Sequence, residues 1–404
     1  MKICFSKSNI TRENCVRIIS LLFLFLAGMN FQNRYCYLTL FAVGIFILFK
    51  RKIIVDINTC FLLMLAISWI VFSPDTSQMA ISLIVEPCLY PLAYLLGRNF
   101  FGKNNYNIQP YKEELLVRKV IIIISIAPYI HFLLNYFKNI DYKGRNSIDF
   151  WTNTVLSATN QAVMGIMILA VAIALLVATN KIALRIISIV IITSILAYNL
   201  MLSGRTLIVM LVVVATVCSV YMYRDASNSK KRVKIAIGIF FFIAIVYILF
   251  EVNFLGIQNH LVDSNLYYRF MYASNEEVLS SGRLERKIKH LHNFDLAFWG
   301  GQKIHDLGIG YAHDIYLDTY DEAGIIALVM LLLFTISAAS EIMSFLKMKK
   351  LQFTTRVLVL AVYLVIFMQF MVEPILQGVQ WLFMLFCFIH GLVVHLRHRR
   401  KLIN

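Results

Sequence analysis

Long apolar runs separated by short polar connectors fill most of the chain, and this pattern predicts one membrane-spanning helix after another. A hydrocarbon core about 30 Å thick demands runs of about 17 to 25 apolar residues. Twelve candidates are centred near residues 23, 42, 65, 88, 128, 166, 192, 214, 245, 334, 365 and 387. The first two are short, and the fourth is broken by Glu86-Pro87 and Pro91, so twelve falls to eleven if that segment does not cross. One connector departs from the rhythm. Roughly 65 polar residues, from Gly256 to Glu322, separate the ninth and tenth runs. The expected fold is all-α: a polytopic integral membrane domain over residues 1–404, with about 12 transmembrane helices and one large loop, 256–322, containing short helices.

Composition agrees. With 60% hydrophobic residues and a mean hydropathy of +0.74, the 404-residue chain lies outside the soluble globular range. The first apolar run follows Lys2, Lys7, Arg12 and Arg17 but lacks a small-residue cleavage site, so it is expected to stay as an anchor. Where the basic residues fall changes the meaning of the +16 net charge. If the N-terminus is cytoplasmic and the loops alternate, 27 of the 38 Lys and Arg fall on the cytoplasmic side. This positive-inside bias puts the long loop on the outer, periplasmic side, with both termini cytoplasmic. The basic charge is then topological, and no nucleic-acid partner is expected. The seven cysteines are scattered, with no C-x-x-C and none in the long loop, so neither a disulfide framework nor a cysteine-ligated metal is indicated.

Polar residues inside apolar runs are costly and ask for a partner, a watery cavity or a role. With this topology most of them sit in the outer half of the bilayer, namely Glu86, His131, Asn160, Gln161, Asn199, Glu251, Gln369, Glu373, Gln377 and Gln380, while Asp56 and Glu341 lie near the cytoplasmic edge. The asymmetry favours a cavity opening outward, against the bland alternative of ordinary capping and snorkelling. A transporter would hold its substrate near the midplane between repeated halves. No such repeat is visible.

The candidate chemistry sits at the same face. Arg205 lies in a tight outward turn, Ser203-Gly204-Arg205-Thr206, where its guanidinium either meets lipid headgroups or clamps a phosphate. Residues 276–299 read as an amphipathic helix with Leu284, Ile288, Leu291 and Phe298 on one face. Arg283, Arg286, Lys287 and His290 share another. The loop as a whole carries six Lys and Arg against ten Asp and Glu, so this local basic stripe suits a specific anion better than a general membrane surface. Further on, Gly308-Ile309-Gly310-Tyr311-Ala312-His313-Asp314-Ile315-Tyr316-Leu317 precedes an acidic run. Its glycines suit a sharp bend that delivers His313 to a helix start. Histidine suits proton abstraction near neutral pH, with Asp314 or a nearby carboxylate to orient it. The spacing of His290, His292, His305 and His313 matches no standard metal site, and neither metal nor cofactor is expected.

The S-G-R-T turn, the late loop with its S-G-R-L helix, and the G-x-G-x-x-H-D-x-Y-L segment before a glycine-led span resemble the bacterial O-antigen polymerase and ligase superfamily. The resemblance covers the whole architecture, but its motifs occupy only residues 203–206, 281–300 and 308–324. The family's His-Asn is His313-Asp314 here, and His292-Asn293 is an upstream competitor. The resemblance implies a metal-independent glycosyltransferase that uses polyprenyl-diphosphate-linked oligosaccharide repeat units, with a chain-length regulator protein as a further candidate partner. It implies His313 as base, with Arg205 and Arg283 stabilising the leaving diphosphate. Glu86, Arg286, Lys287, His290, Asp314 and Tyr316 are the candidate substrate-binding residues. A polymerase would transfer the glycan chain to another lipid-linked repeat unit, and a ligase would transfer it to the lipid A core. From another class, a secondary transporter or lipid-linked sugar flippase is the competing reading.

Overall fold

A computed structural model describes residues 12–49, 53–73, 81–101, 110–140, 146–202, 206–225 and 282–402. Arg205, the run centred near residue 245 and residues 276–281 of the expected amphipathic helix lie outside them. The described residues form an array of helices: α1 (Arg12–Gly28), α2 (Tyr35–Phe49), α3 (Ile57–Phe72), α4 (Ile81–Asn99), α5 (Pro110–Lys138), α6 (Ala158–Ala178), α7 (Ile182–Met201) and α8 (Thr206–Asp225). After them come α9 (Arg283–His292), α10 (Ile315–Leu346), α11 (Phe353–Phe370), the short α12 (Ile375–Gly378) and α13 (Gln380–Leu402). A two-residue hairpin, β1 (Ser147–Ile148) with β2 (Val155–Leu156), bridges α5 and α6. Among the described residues, seven helices are long and apolar enough to cross a membrane: α5, α6, α7, α8, α10, α11 and α13. Helices α2 and α3 are shorter apolar helices. The chain is an all-α membrane protein in this sense.

Apolar side chains all round a helix suit a central position. Most of α6 and nearly all of α13 are buried, whereas α7 leaves Ile182, Ile186, Ile187, Ile189 and Val190 exposed on a surface suited to lipid. Helix α4 runs unbroken through Pro87 and Pro91, contrary to the expected interruption. Tertiary packing overrides the lost backbone bonds. Here α4 lies so close to α13 that a Cβ on Gly97 or Gly391 would collide with the carbonyl oxygen of Phe388 or Tyr94.

The two ends of the array differ. At one, the start of α3, the end of α4, the start of α5 and the end of α13 are laced by ion pairs: Asp56 with Arg98, Glu113 with His395 and Arg399, Glu114 with Arg400. From this end a hydrogen-bond chain, Tyr94–Asn58–His390–Tyr363, runs into the buried interior. The other end carries α9, the start of α10 and the turn after α11.

Candidate functional site

The site is built on α9, the segment 294–314, the start of α10 and the turn at Met371–Pro374. Helix α10 starts at Ile315, so the acidic run belongs to its first turns rather than to a loop. Asp314 caps it, accepting from Tyr316 N at 3.1 Å. Asp318 accepts from the backbone of Ala312 and Asp314 at 2.6 and 2.9 Å, and Asp321 from Ile304 and His305 at 2.8 and 2.9 Å. Glu322 takes a 2.8 Å bond from Ser73 Oγ at the end of α3. The acidic run is therefore a set of anchors for the preceding segment. Gly324 lies at φ 79°, ψ −174°, a region essentially reserved for glycine, and kinks α10 there. The kink lets Gly301 and Gln302 donate to the carbonyls of Glu322 and Asp321, and Ile325 donate to Phe298 O, at 2.8–3.0 Å. A Cβ on Gly300 would sit 2.6 Å from Glu322 O. Phe294 stacks on Tyr320 with centroids 3.7 Å apart, over the small core of Ala297 and Ile304.

On this platform α9 turns its basic face inward. Arg283 donates to Glu373 Oε1 at 2.9 Å and to Val372 O at 2.8 Å. Lys287 bonds Asp314 Oδ2 at 2.9 Å and Met371 O at 2.6 Å. Buried His290 meets Gly310 O at 2.8 Å through Nε2 and so must carry its proton there. The basic stripe thus pairs first with this protein's own carboxylates and carbonyls, while Leu284, Ile288 and Leu291 are exposed on the opposite side. An apolar face of that kind suits the membrane interface.

His313 sits at the centre, held at φ 57°. This left-handed conformation costs a non-glycine residue roughly 1–2 kcal/mol, so the surrounding contacts must enforce it. Its Nε2 lies 3.1 Å from Arg286 Nη1. Arginine can only donate, so Nε2 is the bare, accepting nitrogen and the proton resides on Nδ1. That nitrogen faces Glu373 Oε2 at 3.6 Å. Glu373 is 2% exposed, whereas Arg286 is exposed. The arrangement is a buried carboxylate behind an imidazole whose basic nitrogen meets a displaceable cation at the rim. It is equipped to take a proton and to hold an anion beside it.

Of the expected site residues, Arg283, Arg286, Lys287, His290, His313 and Asp314 converge. Asp314 pairs with Lys287, so the carboxylate facing His313 is another one, Glu373, at an ion-pair distance of 3.6 Å without a hydrogen bond to Nδ1. His292 turns back to Ile288 O at 2.9 Å and is exposed, away from Glu373. Tyr316 packs against the apolar bundle. Glu86 lies apart, in a cavity with Tyr35, Cys36 and Gln380. Glu373 was visible in the sequence only as one polar residue at the end of an apolar run. Nothing there tied it to a histidine sixty positions earlier.

A hairpin at the same end carries a second polar pair. Asp149 Oδ2 stands 2.8 Å from His131 Nε2. Burial works to raise the Asp149 pKa, but His131 and the donors of Thr152 outweigh it and lower it to about 2. Among the described residues no three His, Cys, Asp or Glu side chains gather as a metal site. No family model matches the chain, and no curated protein matches it.

Proposed function

We propose that the protein is a glycosyltransferase of the O-antigen polymerase type, with about twelve spans, its termini in the cytoplasm and the α9–α10 end at the periplasmic face of a bacterial inner membrane. The observation that carries the reading is the Glu373–His313–Arg286 arrangement, a base with an orienting carboxylate and an adjacent cation. In the proposed step the hydroxyl of an acceptor sugar attacks the anomeric carbon of a polyprenyl-diphosphate-linked glycan. The hydroxyl proton passes to His313 Nε2, which Arg286 vacates as it turns toward the diphosphate. The bond from the anomeric carbon to the diphosphate oxygen breaks, and polyprenyl diphosphate leaves with the electron pair. Arg205 is assigned to the leaving group with Arg286, and Arg283 holds Glu373 in place as well as adding positive potential. The basic ends of α4 and α13 support the orientation through the positive-inside bias. The exposed apolar face of α9 supports a reaction held at the lipid surface, where the carrier's tail and its headgroup are aligned together.

The test is deletion of the gene in its host, with surface lipopolysaccharide run on a gel and lipid-linked intermediates extracted in parallel. A lipid A core bearing one repeat unit is the expected result. Bare core with polymer stranded on the carrier would assign the same chemistry to a ligase. An unchanged ladder would return the protein to the transporter class.

A further inference from the structure

A separate polar groove opens at the same end of the bundle. Two cavities of about 180 and 400 Å³ share Asn33, Tyr35 and Gln380 in their walls and so lie side by side. The turn between α1 and α2, the β1–β2 hairpin, the first turn of α6 and the segment after α12 wall the smaller part. Glu86 on α4 lines the larger.

The lining is chemically narrow. Asn30, Asn33, Asn160 and Gln380 supply amides, while Tyr35 and Trp381 add aromatic surface. Neither of these two cavities is lined by lysine or arginine; Arg34 lines only a third cavity that adjoins the larger at Asn33 and Tyr37. Asp149, the carboxylate on the smaller cavity's wall, is already occupied. It faces His131 and accepts from Trp151 N and Thr152 N, each at 2.8 Å, which leaves little for a cation. Some capacity is unspent. Tyr35 is 6% exposed with its hydroxyl turned toward Glu86 and Cys36, while Asn30 Oδ1 has no hydrogen-bond partner. A buried polar group left unpaired costs about 1–3 kcal/mol. Asn30 and Asn33 on the rim hold left-handed φ, at 48° and 57°.

From these observations we infer that the groove is a subsite for an uncharged sugar ring of the glycan substrate. Amides and phenols match hydroxyls, which both donate and accept, and the two aromatic side chains offer faces for the C–H side of a pyranose. The smaller cavity has room on the order of six waters, about one sugar ring, and the larger lies beside it. Glu373 and Gly378 are separated by five residues, so at most about 18 Å of chain lies between the groove and the His313 site. A glycan seated in the groove would have its next sugars within reach of the base. The identity of the ligand as substrate rests on the transferase reading above.

The experiment uses the full chain in nanodiscs. The probe is the repeat-unit oligosaccharide released by mild acid from the host's own surface polysaccharide, with binding read by calorimetry. Wild type and His313→Ala are expected to bind it saturably, and Asn160→Ala and Gln380→Ala at least about tenfold more weakly, at unchanged Tm. If an alanine variant fails to fold, Asn160→Asp, which keeps the shape, replaces it and is expected to show the same loss. Equal affinity in the groove variants and wild type overturns the inference, as does no binding by wild type. So does binding of inorganic pyrophosphate that the groove substitutions abolish. Transfer measured on the same samples separates the two ideas. Weak binding in the groove variants with full transfer by His313→Ala keeps the subsite and removes the base. Lost transfer in His313→Ala with unaltered binding in the groove variants removes the subsite alone.

Discussion

Replacing Glu373 by Gln keeps the shape of the side chain and an acceptor oxygen but removes the buried charge behind His313. In the proposed transfer the imidazole takes the acceptor's proton and becomes a cation 3.6 Å from that carboxylate. At an effective dielectric of about 20, the attraction is about 4–5 kcal/mol. Arg283 pairs with the same carboxylate and solvent reaches the rim, so part of this is already offset. A loss of about 3 kcal/mol is expected in the transition state, a drop of roughly 100-fold in kcat. The interaction strengthens only as the proton moves, so KM should stay within about twofold. The assay is turnover of purified lipid-linked repeat units by reconstituted protein, with Glu373→Asp as the conservative control retaining part of the rate. A Glu373→Gln protein turning over at half the wild-type rate or better would refute the orienting role. A rise in KM at constant kcat would refute it too, showing a contribution to binding alone.

Gly324→Ala should cost about 2–3 kcal/mol, because the backbone there is closed to other residues and the new Cβ would lie 2.8 Å from Trp299 C; Tm of the detergent-solubilised protein is the readout, and an unchanged Tm would contradict the kinked geometry. Asp149 predicts an acid limb in stability. Its folded pKa, about 2, lies below the ordinary value of 3.8, so it contributes about 2 kcal/mol that is fully present above pH 4 and is lost as pH falls toward 2. Unfolding measured across that window should be less pH-dependent in Asp149→Asn, and an identical profile would be the contrary result. Arg205→Ala should lose most transfer activity at a normal protein level, and full activity would remove the assigned phosphate contact.

Much of the fold could be read from the chain because membrane crossing imposes one crude requirement, a long apolar run. Each expected run among the described residues coincides with a helix, and seven of those helices are long and apolar enough to cross a membrane. The sequence misled at Glu86-Pro87 and Pro91, where local propensity argued for a break and close packing with α13 kept the helix intact. The acidic run also read as loop, although Asp314 is an N-cap followed directly by α10. Site residues close together in sequence were found as a group, since α9 spacing puts Arg283, Lys287 and His290 on one face. Their direction was not legible. Periodicity defines a face, but only the tertiary fold turns that face toward Glu373 and Asp314. The left-handed His313 and the groove shared by Asn33, Tyr35 and Gln380 depend on contacts between distant segments, which carry no local signature.

His313 is proposed to take the proton in a glycan transfer that needs neither an ion gradient nor a divalent metal. The most direct measurement reconstitutes wild type and His313→Ala in liposomes with lipid-linked repeat units and chelator, without a gradient, and follows chain growth by gel and mass. Lengthening glycans and released polyprenyl diphosphate are expected with wild type, and neither with a His313→Ala protein that keeps the wild-type Tm. Equal chain growth by the two proteins would contradict it, as would growth that appears only when a gradient is applied.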